Sequence, residues 1–217
     1  MKKIAVLLSG CGVFDGTEIH EAVLTLLAIT RAGAQYQCFA PDIAQMHVVN
    51  HLTGEVNTDE TRNVLVESAR IARGEVLNAS MLDVSQFDGL VIPGGFGAAK
   101  NLSNFATTGS NCDIQPIVES FIRDFALAHK PVGFVCISPV MIPNIYGKGA
   151  IGTIGTDAET AHAFYEMGGK HKNAQVEDIV VDEVNKIVST PAYMLATSIL
   201  EAHIGIEKLV NKVLEMA

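Results

Sequence analysis

A three-layer α/β fold, with a mostly parallel central sheet and helices on both faces, is predicted by three features of this 217-residue sequence. Short apolar runs such as Ile4-Ala5-Val6-Leu7-Leu8 and Gly89-Leu90-Val91-Ile92 show no polar alternation, the mark of strands buried on both faces. Segments with helical periodicity separate these runs, and strand–helix alternation gives a parallel sheet. No linker, repeat or low-complexity segment interrupts the pattern, so residues 1–217 are expected to form a single domain.

The first strand, Ile4 to Leu8, stops at Ser9-Gly10, and a turn with Gly10, Gly12 and Gly16 follows. Asp15 with Glu18 three residues later fits a capping box opening a helix, which Gly33 ends just past Ala32. Val23, Leu24, Leu26, Leu27, Ala28 and Ile29 make that helix apolar around most of its circumference. Such a helix needs cover on more than one side, the sheet on one and a second subunit on another. Gln35 to Ala40 reads as the second strand, and Pro41 to Asn57 as irregular, with a short hairpin around Met46 to Val49. Thr58-Asp59-Glu60 supplies an N-cap and an acidic first turn for a helix reaching Arg73. Gly89 to Ile92 is a strand entering Pro93-Gly94-Gly95, and Ile114 to His129 a helix. Pro131 to Val135 is a strand ending at Cys136, with a short helix to Pro143. Ile151 to Ile154 reads as a strand and Glu159 to Met167 as a helix. Ile179 to Val181 and Lys186 to Ser189 form a hairpin, and Met194 to Met216 is the final amphipathic helix.

Composition narrows the function. The formal charge of −9 disfavours nucleic-acid binding, which needs clustered Lys and Arg, and no basic run is present. Cys11, Cys38, Cys112 and Cys136 show no zinc-type spacing and read as reduced thiols of a cytoplasmic protein. The apolar stretch after Lys2-Lys3 is shorter than the ~7–15 residues of a signal-peptide core. No run reaches the ~18 apolar residues of a membrane span, so no membrane contact is expected.

Ligands of open α/β sheets sit at the carboxyl ends of strands. Three segments leave such ends: the Gly10–Gly16 turn with Glu18, His20 and Glu21 beyond it, Gly94-Gly95, and Cys136. Cys136 lies between a strand and Ile137-Ser138-Pro139, which opens a helix. A thiol there feels the helix dipole and nearby amides, which favour thiolate. A buried structural cysteine satisfies the same local pattern equally well. Glycines at 94 and 95 let backbone amides face an oxyanion, although a tight strand-to-helix turn needs them too. Glu18 reads as a helix cap. Glu21 sits one turn inside a largely apolar helix, where a carboxyl is either held protonated beside a thiol or solvated at the surface. His20, adjacent to it, is a minor candidate for substrate contact. His47, His51, His129, His162, His171 and His203 form no metal spacing, so no metal is expected.

Pro93-Gly94-Gly95 with Gly97 to Leu102, and Gly133-Phe134-Val135-Cys136, resemble the class I glutamine-amidotransferase-like superfamily, in its Parkinson-disease deglycase and intracellular protease branch. Leu8 to Val13, Gly16 to Glu21, Asn50 to Gly54 and Ser189 to Ala196 resemble, more narrowly, its lycopene-biosynthesis-enhancing group, which is tied to isoprenoid biosynthesis and described as glyoxalases. The resemblance implies a flavodoxin-like sandwich and a homodimer. It implies Cys136 as nucleophile, Glu21 as the carboxylate contacting it, and the amides of Gly95 and Ile137 as oxyanion donors. Two departures matter. The protease branch places a histidine directly after the cysteine, where this chain has Ile137. Several relatives place one after the next strand, where it has Gly155-Thr156-Asp157. With no later His-x-Glu pair either, glutamine hydrolysis and proteolysis are disfavoured. A Cys–Glu pair remains able to convert glyoxal, or methylglyoxal, to a hydroxy acid without glutathione, metal or other cofactor. The competing expectation is a non-enzymatic, redox-responsive or chaperone-like dimer that senses through Cys136.

Overall fold

A computed structural model describes all 217 residues. Seven strands form the central sheet: β1 (Lys3–Leu7), β2 (Gln35–Ala40), β3 (Val76–Asn78), β4 (Gly89–Ile92), β5 (Val132–Val135), and the hairpin of β8 (Val180–Asp182) and β9 (Ile187–Thr190). Their spatial order is β3-β2-β1-β4-β5-β9-β8, parallel except where β8 meets β9. The predicted α/β sandwich is therefore the observed one. Alternation along each strand fills both faces. Ile4, Val6, Cys38, Val91 and Val188 join one buried cluster, while Ala5, Leu7, Phe39, Leu90, Ile92 and Phe134 join the other. Both faces being dry explains why these strands read as unbroken apolar runs.

On one face lie α1 (Ile19–Arg31), α2 (Val64–Ile71) and α8 (Ile199–Met216). On the other pack α3 (Phe96–Lys100), α4 (Phe105–Thr108), α5 (Pro116–Leu127), α6 (Ile142–Tyr146) and α7 (Ala158–Glu166). Strands β6 (Ile151–Gly152) and β7 (Lys170–His171) pair with each other outside the main sheet, and the strand expected over Ile151 to Ile154 is shortened to its first two residues.

Three helix starts move. Glu18, not Asp15, caps α1, its Oε2 accepting from Glu21 N–H at 2.7 Å. Asp15 instead accepts from Val49 N–H at 2.7 Å and anchors the loop after β2. α2 begins at Val64 with Asn63 as its cap, because residues 58–61 are exposed and carry no apolar face to bury. α8 begins at Ile199 behind Ser198, after a 3-10 turn over Ala192–Met194. The hairpin expected near Met46 is reduced to an isolated bridge between Val49 and Val56. No helix is long and apolar enough to cross a membrane.

Strand order reverses at β1, whose chain successor β2 lies on one side and β4 on the other. The crevice at the carboxyl ends of β1, β4 and β5 is therefore the topological switch point of the sheet, where ligands of such folds bind.

Candidate active site

The site joins the turns that follow β4 and β5 to the first turn of α1, which carries Glu21. After β5 the chain reverses at Cys136, which has φ 62°, a left-handed conformation costly for a residue with a side chain. Neighbouring bonds hold it there. Cys136 N–H donates to Thr190 O at 3.0 Å. Val135 N–H donates to Ser138 Oγ at 2.8 Å, and that hydroxyl donates to Ile92 O at 3.0 Å, tying the turn to β4. Ser138 and its partners are buried, so the clamp is shielded from water. The sulfur is held at the carboxyl ends of the strands, beside the turn that follows β4.

That turn needs its glycines. Gly95 has φ 94°, and a Cβ there would fall 2.3 Å from Glu18 N and 2.5 Å from Gly16 O. A Cβ on Gly94 would fall 2.4 Å from Cys136 Cβ and 2.7 Å from Glu21 Oε2. Backbone thus approaches the thiol and carboxyl closely, which only glycine allows.

Glu21 is fully buried. Gly94 N–H donates to its Oε2 at 2.9 Å and Tyr193 N–H to its Oε1 at 3.1 Å. Its third neighbour is the Cys136 thiol. Burial, aided by the charge of Glu18, pushes the Glu21 carboxyl up to about 8, against the two backbone donors and the thiol contact, which pull it down. Burial and the Glu21 charge push the Cys136 thiol well above its ordinary value, while the N–H groups of Gly95 and Ile137 beside the sulfur pull the other way. The expectation of a dipole-stabilised thiolate is thereby corrected. The helix after Cys136 begins as a 3-10 turn over Ser138–Met141, too short to carry a strong dipole, and the acid beside the sulfur opposes a second negative charge. Ionisation of either group opposes a second charge beside it, so the two titrate as a coupled pair.

Of the other residues singled out in the sequence, Gly94 has its N–H committed to Glu21, which leaves Gly95 and Ile137 as the amides facing the sulfur. His20 is exposed, its Nδ1 3.0 Å from Tyr193 Oη, and stands outside the cavity wall. No group of three or more His, Cys, Asp or Glu side chains is arranged to hold a metal ion.

Cys136 opens into a cavity of about 350 Å³. Its wall includes Phe96, Phe105, Ile137, Thr160, Tyr193 and Met194, with Glu18 at one edge. Except for Ile137, Glu18 and Gly95, these lining positions went unrecognised in the sequence. They come from α3, α4, α7 and the 3-10 turn before α8, far apart along the chain, and single apolar residues there look like core. Tyr193 and Met194 had a visible signal, both lying in the resembling segment Ser189–Ala196.

No family model matches the chain. Among curated proteins it is 46% identical over 223 residues to the mitochondrial ES1 protein homolog of Rattus norvegicus, the match spanning 99% of this chain and 84% of that one. Among solved structures it superposes at a TM-score of 0.91 and 40% identity on an isoprenoid biosynthesis protein with an amidotransferase-like domain from Ehrlichia chaffeensis, covering 99% of this chain and 100% of that one. At 14% identity and a TM-score of 0.65, glyoxalase III of Candida albicans shares the fold over 99% of this chain and 97% of its own. The relatives from rat, human and zebrafish are all named mitochondrial, which overturns the expectation of a cytoplasmic protein. Free thiols mark a reducing compartment without saying which one, so cysteine usage was the wrong guide.

Proposed function

This chain belongs to the ES1 family of glutamine amidotransferase-like class 1 proteins, and from that premise and the site geometry we propose that it is a cofactor-independent glyoxalase acting through Cys136 and Glu21. The observation that carries the reading is the buried carboxyl of Glu21 placed against the Cys136 thiol, with two amides aimed at the sulfur. In the singly ionised pair one proton moves between oxygen and sulfur. The thiolate adds to an aldehyde carbon of glyoxal while Glu21 gives its proton to the carbonyl oxygen, forming a hemithioacetal. The Gly95 and Ile137 N–H groups steady the charge that develops on that oxygen. The Glu21 carboxylate then takes the C–H proton and returns it to the neighbouring carbon, and the hydroxyl proton passes to the second oxygen. The first carbon is oxidised to a thioester as the second is reduced to an alcohol, so no outside oxidant is needed. Water cleaves the thioester to glycolate and frees the sulfur.

The test is direct: purified protein is incubated with glyoxal in the absence of glutathione and added metal, and glycolate is quantified. Accumulation above the uncatalysed rate supports the reading, and none overturns it. The redox-sensor alternative is weakened by the same geometry, because sensor thiols have low pKa values and open access, whereas this one is buried and pushed up.

A homodimer is part of the proposal. Ile19, Val23 and Leu27 recur every four residues along α1 and remain 42%, 50% and 45% exposed, an outward apolar stripe on a helix whose other side is buried. A second copy covering this stripe accounts for it. Sedimentation equilibrium at micromolar concentration is expected to give twice the 23.1 kDa chain mass. A charged residue in place of Val23 is expected to shift the protein toward monomer.

A further inference from the structure

The cavity at Cys136 is built for a larger and less polar carbonyl compound than glyoxal. Its volume of about 350 Å³ falls in the range of pockets that enclose ligands of many heavy atoms, not a dialdehyde of four. Aromatic and aliphatic groups supply most of the wall, among them Phe96, Phe105, Ile137 and Met194. The polar side chains on that wall are few, and Glu18 is the only charged one. Glu18 already accepts the Glu21 N–H bond. Lys100, the nearest cation on α3, lies outside the wall, held over the Phe96 ring and donating to Phe14 O at 2.9 Å. A carboxylate or phosphate on the substrate would thus meet an acid and no base.

Resting on the glyoxalase reading of the same site, we propose that its substrate class is the neutral α-oxoaldehydes bearing an apolar, ring-sized substituent. The aldehyde carbon meets the Cys136 sulfur between the Gly95 and Ile137 amides, and the substituent lies among Phe96, Phe105 and Met194. Bond changes are those given for glyoxal, with the substituent on the carbon that becomes the alcohol. Phenylglyoxal and one water yield mandelate, with no other reactant.

The experiment compares kcat/KM for glyoxal, methylglyoxal and phenylglyoxal, and in parallel titrates the protein with acetophenone, which has the ring and ketone but no aldehyde. Phenylglyoxal is expected to exceed glyoxal at least tenfold, the scale on which an apolar pocket discriminates added carbon. Acetophenone is expected to bind saturably, perturbing NMR signals of residues around Cys136, and to compete with turnover. Ala106→Phe, which narrows the exposed rim on α4, is expected to lower the phenylglyoxal-to-glyoxal ratio at least tenfold and to weaken acetophenone binding. Glyoxal turned over as well as or better than phenylglyoxal, or no saturable acetophenone binding, overturns the inference while leaving the glyoxalase reading intact. Acetophenone binding at the cavity with no turnover of any aldehyde overturns the glyoxalase reading and supports the apolar ligand class.

Discussion

Replacing Cys136 with alanine is expected to bring hydroxy-acid formation to the uncatalysed rate while the protein stays folded. The sulfur is the only thiol on the cavity wall, and without it no hemithioacetal forms; the amides of Gly95 and Ile137 have nothing to act on. Cys11, Cys38 and Cys112 do not line the cavity, so none takes over. The fold is expected to hold because alanine meets the same backbone strain as cysteine at φ 62° and the Ser138 clamp uses no side-chain atom of Cys136. Removing the thiol also removes a group whose ionisation Glu21 opposes. Steady-state assays alongside thermal unfolding check both halves. Turnover within tenfold of the wild type excludes Cys136 as the nucleophile.

Glu21→Gln is expected to lose ~10²–10⁴-fold in turnover, the usual contribution of a positioned proton-transfer group. Its stability should also reveal the titration of the native carboxyl. In the folded protein Glu21 keeps its proton up to about pH 8, whereas the unfolded chain releases it near the ordinary carboxyl value. Between those two pH values the native state binds the extra proton, so unfolding free energy falls as pH rises, by on the order of a few kcal/mol across the window. Glutamine has no such slope. Its amide nitrogen must face either Gly94 N–H or Tyr193 N–H, each of which now donates to a carboxyl oxygen, and losing that bond costs about 1–3 kcal/mol. The variant is therefore expected to be less stable than the wild type at pH 5, with the gap narrowing toward pH 8.5. Urea midpoints over this range give the measurement, and a constant gap would show that Glu21 is already ionised at pH 5. Wild-type kcat/KM should rise with pH through about 8, as the pair loses its first proton, and in Glu21→Gln the rise should move to the pH at which the Cys136 thiol ionises alone.

The sheet was legible because β1, β4 and β5 are buried on both faces, which leaves an unbroken apolar signature. Cys136 was legible as a strand-end cysteine, and Glu21 as a carboxyl where the helix has little water to offer. The thiol's protonation was not. Local pattern suggests a thiolate, but the outcome depends on Glu21 reaching it from 115 positions away in the chain. Tyr193 reaches Glu21 through its backbone N–H, so the identity of its side chain carries no trace of that bond. Phe96, Phe105 and Met194 look like core residues until the tertiary fold leaves a hollow between them. The Thr58–Glu60 cap signal was sound chemistry without an apolar face behind it, and the helix waited for Asn63.

The left-handed backbone at Cys136 has an evolutionary corollary. Glycine adopts that conformation without penalty, and asparagine nearly so, whereas cysteine stands there at a cost of about 1–3 kcal/mol. Selection for folding alone would push the position toward glycine, as random substitution samples it over generations. Under the proposed function, any lineage released from that chemistry should therefore lose the sulfur early, and the residue at 136 would record the release.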